Sequence, residues 1–366
     1  MRQTNSRPYG ATIKQYSTTF LLVGSMASVA HLRASEEIYH ANSNYNAVKQ
    51  TMVAEFALAY GDIPTALHNY TVLAIKNNST SIKQRALNIA IEQNDLRAAL
   101  DIATHWVVQE PSDVPALFYL AHIALKAHEY DLAAETLDKI LNIDATADLE
   151  QILAGISPES VEDREFLIQA LRTSKAKDNP SILVLIAGLK AQNGQYQAAL
   201  DTINQALRKR PKVTGYILMK ANLLSALGNE EETAAWYAKS SRKHKNNFEV
   251  RLAEAKYLVK KNEATLALTK LEAILKKWPT EDEALFIAGL TSIDLKQYEK
   301  AEKYLVELRY SAQYQNEAYF YLAINAERKQ HFETAKAYYR LVDGSLYTVS
   351  RRNMISIFAQ QDKLND

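Results

Sequence analysis

The chain has 366 residues, with 43 Lys and Arg against 42 Asp and Glu, a formal net charge of +1 and no cysteine. The lack of cysteine excludes disulfides, thiolate metal sites, cysteine catalysis and lipid attachment through a thiol. Ten glycines and eight prolines are few for this length, and an apolar fraction of 47% is typical of packed helices rather than of a disordered chain.

The first element in chain order is a leader. Basic residues precede a mildly apolar run at residues 20–30, and Ser28 and Ala30 stand at the −3 and −1 positions of a cut after Ala30. This layout is typical of a secretory signal peptide, and the run is shorter than the roughly twenty apolar residues that span a membrane. We therefore predict a leader at residues 1–30, a linker at 31–45, and export to the periplasm or cell envelope, with no lipid and no transmembrane span in the mature chain. A leader helix or tail of a cytoplasmic protein is the alternative.

From residue 46 onward, small residues recur about every 34 positions. One set, which we call the second-helix set, is Ala66, Ala99, Ala133, Ala199, Thr233, Ala267, Ala301 and Ala335. The first-helix set lies twelve residues earlier and is Ala54, Leu87, Ala121, Ala187, Ala221, Ala255, Gly289 and Ala323. A fixed period of this length predicts a solenoid of helical pairs, in which each repeat contacts only its neighbours.

The two sets resemble the tetratricopeptide repeat, a family that has small residues at these positions, where the two helices of one repeat cross. The family prefers an aromatic residue four positions after the second-helix set, where this chain has Tyr70, Ala103, Leu137, Ile203, Tyr237, Leu271, Leu305 and Tyr339. The resemblance implies an all-α fold, a right-handed α-solenoid of about nine helix-turn-helix repeats and a terminal helix. The N-terminal repeats are expected at residues 46–145 and the C-terminal repeats at residues 181–348.

Turn residues agree with these repeats. Glycine adopts a left-handed conformation at little cost, so it is expected where a first helix ends. The residues at that point include Gly61, Asn94, Gly194, Gly228, Asn262 and Gln330. Proline cannot continue a helix and is expected to follow a second helix. The residues there are Pro111, Pro211 and Pro279, replaced elsewhere by Asn78, Ala145 and Lys245.

Residues 146–180 keep the pattern poorly. Leu149 to Ile156 predicts a short first helix and Val161 to Leu171 a second one. The register, however, places the bulky Phe166 where a small residue belongs. The segment is therefore a degenerate repeat or a bend between the two arrays of repeats, and we expect a bend.

Residues 349–366 predict the first helix of one further repeat, with Met354 and Ile357 facing inward. A lone helix here would cap the solenoid by covering its last apolar face, or would mark a longer array cut short. Tyr347, Ile355 and Phe358 make this end apolar. We therefore hypothesise a homo-oligomer or a docked partner at this end.

Charge is distributed unevenly along the chain. Residues 1–171 carry a net charge of −8, residues 172–278 a net charge of +11, and the remainder −2. The basic runs lie at repeat ends, at residues 208–212, 242–245, 260–261 and 276–277. Cations near helix C-termini complement the helix dipole, so a solvated basic edge is the first interpretation. An acidic protein partner is the second and nucleic acid the third, because no aromatic stacking platform stands beside these runs in the sequence.

Motifs of catalysis are absent from the sequence. It has no glycine-rich phosphate loop, no GxSxG elbow and no pair of zinc-binding histidines. Leu132 stands where a second ligand would have to follow His128, and His122 does not share a helix face with His128. We predict that the chain is not an enzyme, that it has no catalytic, cofactor-binding or metal-binding residues, and that it uses no cofactor and no small-molecule substrate.

A closer resemblance runs from about Tyr45 to the C-terminus. Residues 52–62 (MVAEFALAYGD), 98–106 (AALDIATHW) and 317–323 (EAYFYLA) are similar to segments of exported bacterial tetratricopeptide proteins. That group includes outer-membrane lipoproteins that act as adaptors for carboxyl-terminal processing proteases of the periplasm. The resemblance thus implies a periplasmic protease and its substrates as partners, although the lipid-bearing cysteine of those proteins is absent here.

The predicted function is an interaction scaffold that binds a protein or peptide along the concave face lined by the first helices. Register places the candidate partner-binding residues on that face: Lys190, Asn222, Lys256, Asn325 and Tyr321. The alternative is a cytoplasmic chaperone or assembly factor, for secretion or complex assembly, that uses the same groove.

Overall fold

The computed structural model describes residues 42–76, 79–156 and 158–363; the leader and residues 31–41 of the linker lie outside them. These described residues form 19 α-helices and no β-strand. The helices follow one another as nine pairs and a terminal helix. The predicted all-α fold of helix-turn-helix repeats is therefore confirmed. Among the described helices, none has the length and hydropathy that crossing a membrane requires.

The chain divides into two compact units, Met1–Lys209 and Arg210–Asp366. The helices of unit 1 are α1 (Asn42–Ala59), α2 (Ile63–Lys76), α3 (Thr80–Glu92), α4 (Leu96–Gln109), α5 (Val114–Lys126), α6 (Tyr130–Ile143), α7 (Glu150–Leu153), α8 (Val161–Thr173), α9 (Pro180–Gln192) and α10 (Tyr196–Lys209). A short 3₁₀ helix, Lys175–Asp178, precedes α9.

Unit 2 has the same alternation of first and second helices. They are α11 (Thr214–Ala226), α12 (Glu230–Lys243), α13 (Phe248–Lys260), α14 (Ala264–Leu275), α15 (Asp282–Asp294), α16 (Tyr298–Glu307), α17 (Gln315–Arg328), α18 (Phe332–Leu341) and α19 (Tyr347–Lys363). Two 3₁₀ helices, Leu308–Tyr310 and Gly344–Leu346, follow α16 and α18.

The two sets of small residues lie at the crossings of paired helices. Every member of the second-helix set is 0% exposed, and each of its helices begins three residues before that member. The first-helix set is equally buried. Small side chains allow two helix axes to approach to about 8–10 Å, so the larger residues four positions later can fill the space beside the crossing. Those larger residues, from Tyr70 to Tyr339, are also buried.

Gly289 shows how closely the helices approach. A Cβ atom at this position would lie 2.7 Å from both Cγ and Cδ2 of Leu305 on the partner helix. In the pair α3–α4, the corresponding positions hold Leu87 and Ala103, both 0% exposed. In α3–α4 the larger side chain is on the first helix, whereas in α15–α16 it is on the second helix. The crossing therefore restricts the summed volume of the two side chains.

A left-handed residue follows the first helix in each of the eight regular pairs. Positive φ angles occur at Gly61, Asn94, His128, Gly194, Gly228, Asn262, Lys296 and Gln330. The amide after each such residue donates to a carbonyl five residues earlier, as in Asn229 N–H to Leu224 O at 3.1 Å. This is the Schellman arrangement, which satisfies the last carbonyls of a helix. Six of these positions were predicted from sequence, while His128 and Lys296 were not.

The pair α7–α8 departs from this geometry. Its first helix has only four residues, and Phe166 is 67% exposed, outside any crossing. Hydrogen bonds connect the segment to its neighbours instead. Asp138 of α6 accepts the amides of Lys175 and Ala176 at 3.0 and 2.7 Å, and Arg164 of α8 donates to Asn193 at 2.5 Å. Polar contacts therefore hold this degenerate pair where small-residue nesting is missing.

The terminal helix α19 packs through the residues predicted to face inward. Ile357 is 0% exposed and Met354 is half-buried against the last pair. Ile355 is 68% exposed and Phe358 is 44% exposed on the same helix. The apolar end noted in the sequence is thus present on the surface, and its occupant stays a hypothesis.

Replacing Lys296 by glycine should stabilise unit 2. Lys296 is exposed and has a φ of 57°, where a side chain costs about 1–2 kcal/mol, so Lys296→Gly should raise the free energy of unfolding by about 1 kcal/mol. Urea denaturation measures the change. The matched control is Lys303→Gly, within α16, which should destabilise by about 1 kcal/mol. Equal destabilisation by both changes would contradict the assigned turn.

Exchanging bulk across the α15–α16 crossing should be tolerated, whereas adding bulk should not. Gly289→Leu should lower the free energy of unfolding by about 3 kcal/mol, because the new side chain overlaps Leu305. Adding Leu305→Ala recreates the Leu87–Ala103 arrangement and should restore about half of that loss or more. If the loss of unfolding free energy in the double variant equals the sum of the losses in the two single variants, the two side chains do not share one restricted volume.

Candidate binding surface on the first helices

The first helices of unit 2 form a continuous layer. Helix α11 contacts α13, α13 contacts α15, and α15 contacts α17. Residues 34 apart therefore line up across the layer. Three glutamates do so at the helix starts: Glu249, Glu283 and Glu317. We call this layer, with the side chains it exposes on α13, α15 and α17, the first-helix face of unit 2.

An aromatic cluster lies on this face. The ring of Phe286 on α15 is centred 5.0 Å from Tyr314 and 5.6 Å from Tyr321 of the next pair. Tyr321 also contacts Phe320 edge-on at 5.3 Å. Phe286, Tyr314 and Tyr321 are half-buried, so each has ring area accessible to a ligand. Such side chains combine a large apolar surface with a polar tip and are frequent energetic centres of interfaces.

Charged groups surround the aromatic cluster. Nζ of Lys256 lies 2.6 Å from Oε1 of Glu283, and both side chains are more than a third exposed. Burial raises the pKa of the Tyr314 hydroxyl above its usual value. The charge of Glu283 adds to this, followed by Asp282 and Glu317, while Lys256 acts in the opposite direction. The cluster therefore has an excess of negative charge around it.

The predicted partner-binding residues occupy different surroundings. Lys256 and Tyr321 lie in or beside the aromatic cluster, and Asn222 is exposed on α11 at the position 34 residues before Lys256. Asn325 is 2% exposed, and its Nδ2 donates to the carbonyl of Tyr298 at 3.0 Å. Asn325 thus packs toward the preceding second helix.

Lys190 belongs to unit 1 and is engaged within its own pair. Its Nζ donates to Thr202 Oγ1 of α10 at 2.8 Å, and burial lowers its pKa. Lys190 thus connects α9 to α10.

Sequence reasoning missed Phe286, Tyr314 and Glu283. The signal for two of them was available, because Phe286 precedes Phe320, and Glu283 precedes Glu317, by 34 residues.

In unit 1 the short helix α7 of the degenerate pair belongs to the corresponding layer of first helices and contacts α5. His122 of α5 makes a hydrogen bond through Nδ1 to the carbonyl of Ile152 in α7 at 2.8 Å. Burial lowers the pKa of His122, the charge of Lys126 lowers it further, and the hydrogen bond partly offsets these effects. The folded chain therefore favours the neutral form of His122, which can donate through Nδ1 to the Ile152 carbonyl.

Comparisons with known proteins agree with the helical pairs. A family model described as tetratricopeptide repeat matches residues 252–318, across the pairs α13–α14 and α15–α16. The match supports the tetratricopeptide-repeat family for these residues, and the described chain is built of repeated helical pairs.

One curated relative is the lipopolysaccharide assembly protein B of Haemophilus influenzae. It is 32% identical over 183 residues, which is 48% of this chain and 46% of the relative. The chain thus spans about half the length of that relative.

The solved structures that are similar to the chain include MamA and Tom70. MamA from Desulfovibrio magneticus is 18% identical, with a TM-score of 0.38, and the match covers 50% of this chain and 98% of MamA. Yeast Tom70 is 10% identical, with a TM-score of 0.43, covering 88% of this chain and 97% of Tom70.

His122 should make the stability of unit 1 sensitive to acid. Because its pKa is lower in the folded than in the unfolded chain, the unfolded chain takes up the proton first. The stabilisation is complete above about pH 6.5 and should be lost as the pH falls through the folded pKa, with a slope of at most about 1.4 kcal/mol per pH unit. Urea denaturation between neutral and mildly acidic pH measures this slope.

The matched variants for this test are His122→Gln and His105→Gln. Glutamine retains a donor for the Ile152 carbonyl but does not titrate, so His122→Gln should flatten the pH dependence. His105 is exposed on α4, and its replacement controls for removing an imidazole. The same slope in wild type and His122→Gln would show that this histidine is not the responsible group.

Proposed function

We propose that this chain is a non-enzymatic scaffold that binds a protein segment along the first-helix face of unit 2. The observation that carries the proposal is the half-buried aromatic cluster of Phe286, Tyr314 and Tyr321, flanked by the exposed ion pair of Lys256 and Glu283. Partly exposed aromatic rings on a preorganised helical layer gain most from covering by a ligand, because little conformational entropy remains to be lost.

The charges favour one class of segment. Glu283 and Glu317 lie beside the rings, and Lys256 already pairs with Glu283. A segment with aromatic or aliphatic side chains next to a lysine or arginine would match both the apolar rings and the excess of carboxylates. Tetratricopeptide-type folds are generally used as binding scaffolds, which agrees with a role without catalysis.

We further propose that the chain acts in the cell envelope, as an assembly or adaptor protein. Two observations support this: the layout of residues 1–30, and the relative named for lipopolysaccharide assembly. Presentation of substrates to a periplasmic protease is a narrower form of this proposal and rests on the sequence resemblance. A cytoplasmic chaperone or assembly factor is the competing role. Sequencing the N-terminus of protein purified from its native cell separates the two, since export with cleavage predicts His31 and a retained leader predicts Met1.

Truncating the aromatic rings should weaken binding. Peptides selected from a displayed library against wild-type protein provide the probe, and isothermal titration gives the dissociation constant. Phe286→Ala and Tyr321→Ala should each raise that constant by about tenfold or more, because each removes a central apolar contact.

The control for this measurement is Leu266→Ala. Leu266 is 44% exposed on the second helix α14, away from the first-helix face. This change should leave the dissociation constant within about twofold. If the selected peptides bind the two aromatic variants as well as wild type, or lose affinity equally in Leu266→Ala, the first-helix face is not the binding surface.

A further inference from the structure

A second charged surface lies at the ends of the second helices in unit 2. Its exposed cations are Lys212 before α11, Arg242, Lys243 and Lys245 at the end of α12, and Lys276 and Lys277 after α14. We call these six residues the basic edge. It differs from the first-helix face, where carboxylates are in excess.

The basic edge is continuous across three loops. The pKa of His244 is lowered by burial and then by the charges of Lys243 and Lys212, so both cations lie near the same imidazole. Nζ of Lys277 donates to Asn246, which connects the end of α14 to the loop after α12. Because Lys243 and Lys277 are 34 residues apart, they stand at equivalent points of neighbouring pairs.

The charges of the basic edge are not neutralised within the described chain. None of its six cations forms an ion pair there, whereas Lys256, Lys261 and Lys270 of the same unit all do. Helix-dipole complementation accounts for one cation, since Arg242 donates to the carbonyl of Ala238 at 3.1 Å. Clustered like charges repel, and binding of an anion would relieve that repulsion.

Contrary to the expectation from sequence, one aromatic residue, Trp278, directly follows a basic run, but its surroundings argue against nucleic acid. Trp278 has Lys277 over its ring at 4.6 Å and Arg251 at 5.5 Å, and Phe248 meets the ring edge-on at 5.7 Å. A nucleobase would have to displace these contacts to stack on the indole. The Trp278 ring thus already contacts side chains of the protein, and a ligand would contact the cations of the basic edge instead.

We propose that the basic edge binds an acidic protein segment, in addition to the segment bound on the first-helix face. Neighbouring helical pairs stand about 10 Å apart, and a chain in the polyproline II conformation advances about 3.1 Å per residue with three residues per turn, so every third side chain points to the same side. Carboxylates three residues apart along such a segment therefore meet equivalent cations of successive pairs. The recognised chemistry is a glutamate- or aspartate-rich stretch with acidic residues at that spacing.

Fluorescence anisotropy with a short labelled poly-glutamate peptide tests the proposal, with oligothymidylate as the competing polyanion. Wild-type protein should bind poly-glutamate with an affinity that falls as salt rises. The variant Lys212→Gln/Lys243→Gln/Lys245→Gln/Lys276→Gln should lose about tenfold or more of that affinity. Circular dichroism and the thermal midpoint should be unchanged, because these side chains are exposed and make no ion pair among the described residues.

The matched control removes the same charge elsewhere in unit 2. It is Lys260→Gln/Lys296→Gln/Lys303→Gln/Arg352→Gln, at exposed positions outside the basic edge. It should keep affinity within about twofold, and so should Phe286→Ala/Tyr321→Ala, which separates this surface from the proposed function. Equal losses in the edge and control variants, no binding of poly-glutamate at low salt, or tighter binding of oligothymidylate through the same lysines would each overturn the proposal.

Discussion

The close crossing of paired helices is the contact on which the rest of this molecule depends. Each regular pair places a residue of the second-helix set, fully buried, against the partner helix. Without that nesting, the residues four positions later could not fill the groove, and successive pairs would lack flat faces to stack. The Gly289–Leu305 and Leu87–Ala103 pairs show two solutions of the same volume problem.

The binding surface is a consequence of that crossing. A first helix uses one stripe of its surface for its partner and another for the neighbouring pair, which leaves a third stripe free in every repeat. Because the period is 34 residues, free positions such as Lys256 and Glu283 recur beside those of the next pair. The exposed side chains of successive pairs thus form one surface, on which Phe286 contacts Tyr314 and Tyr321.

Unit 2 separates its charges in the same periodic way. Glutamates recur at the starts of its first helices, where the helix dipole favours them, and cations recur at the ends of its second helices. Each kind of charge is favourable at its own helix end. Because the pairs stack, the glutamates form one surface and the cations form another of opposite charge. One scaffold can then hold two segments of different composition, as the proposed binding to the first-helix face and to the basic edge requires.

The sequence by itself determined the period, the helix pairs, the buried small residues and six of the eight left-handed turns. Each follows from a local preference repeated many times, so an error in one repeat is outweighed by the others. Lys296 was missed because nothing in a lysine side chain favours a left-handed conformation. The degenerate pair was recognised by the misfit of Phe166, but the four-residue α7 and the polar contacts around it depend on neighbouring helices.

Only the tertiary structure decided which way individual polar side chains turn. Asn325 on a first helix of unit 2 and Lys190 on a first helix of unit 1 hydrogen-bond to second helices, whereas Lys256 reaches the next pair. One residue of helix rotation is about 100°, so a register error of one residue is enough to turn an exposed side chain inward. The aromatic cluster likewise joins α15 to the residue before α17, a contact that depends on how the pairs stack.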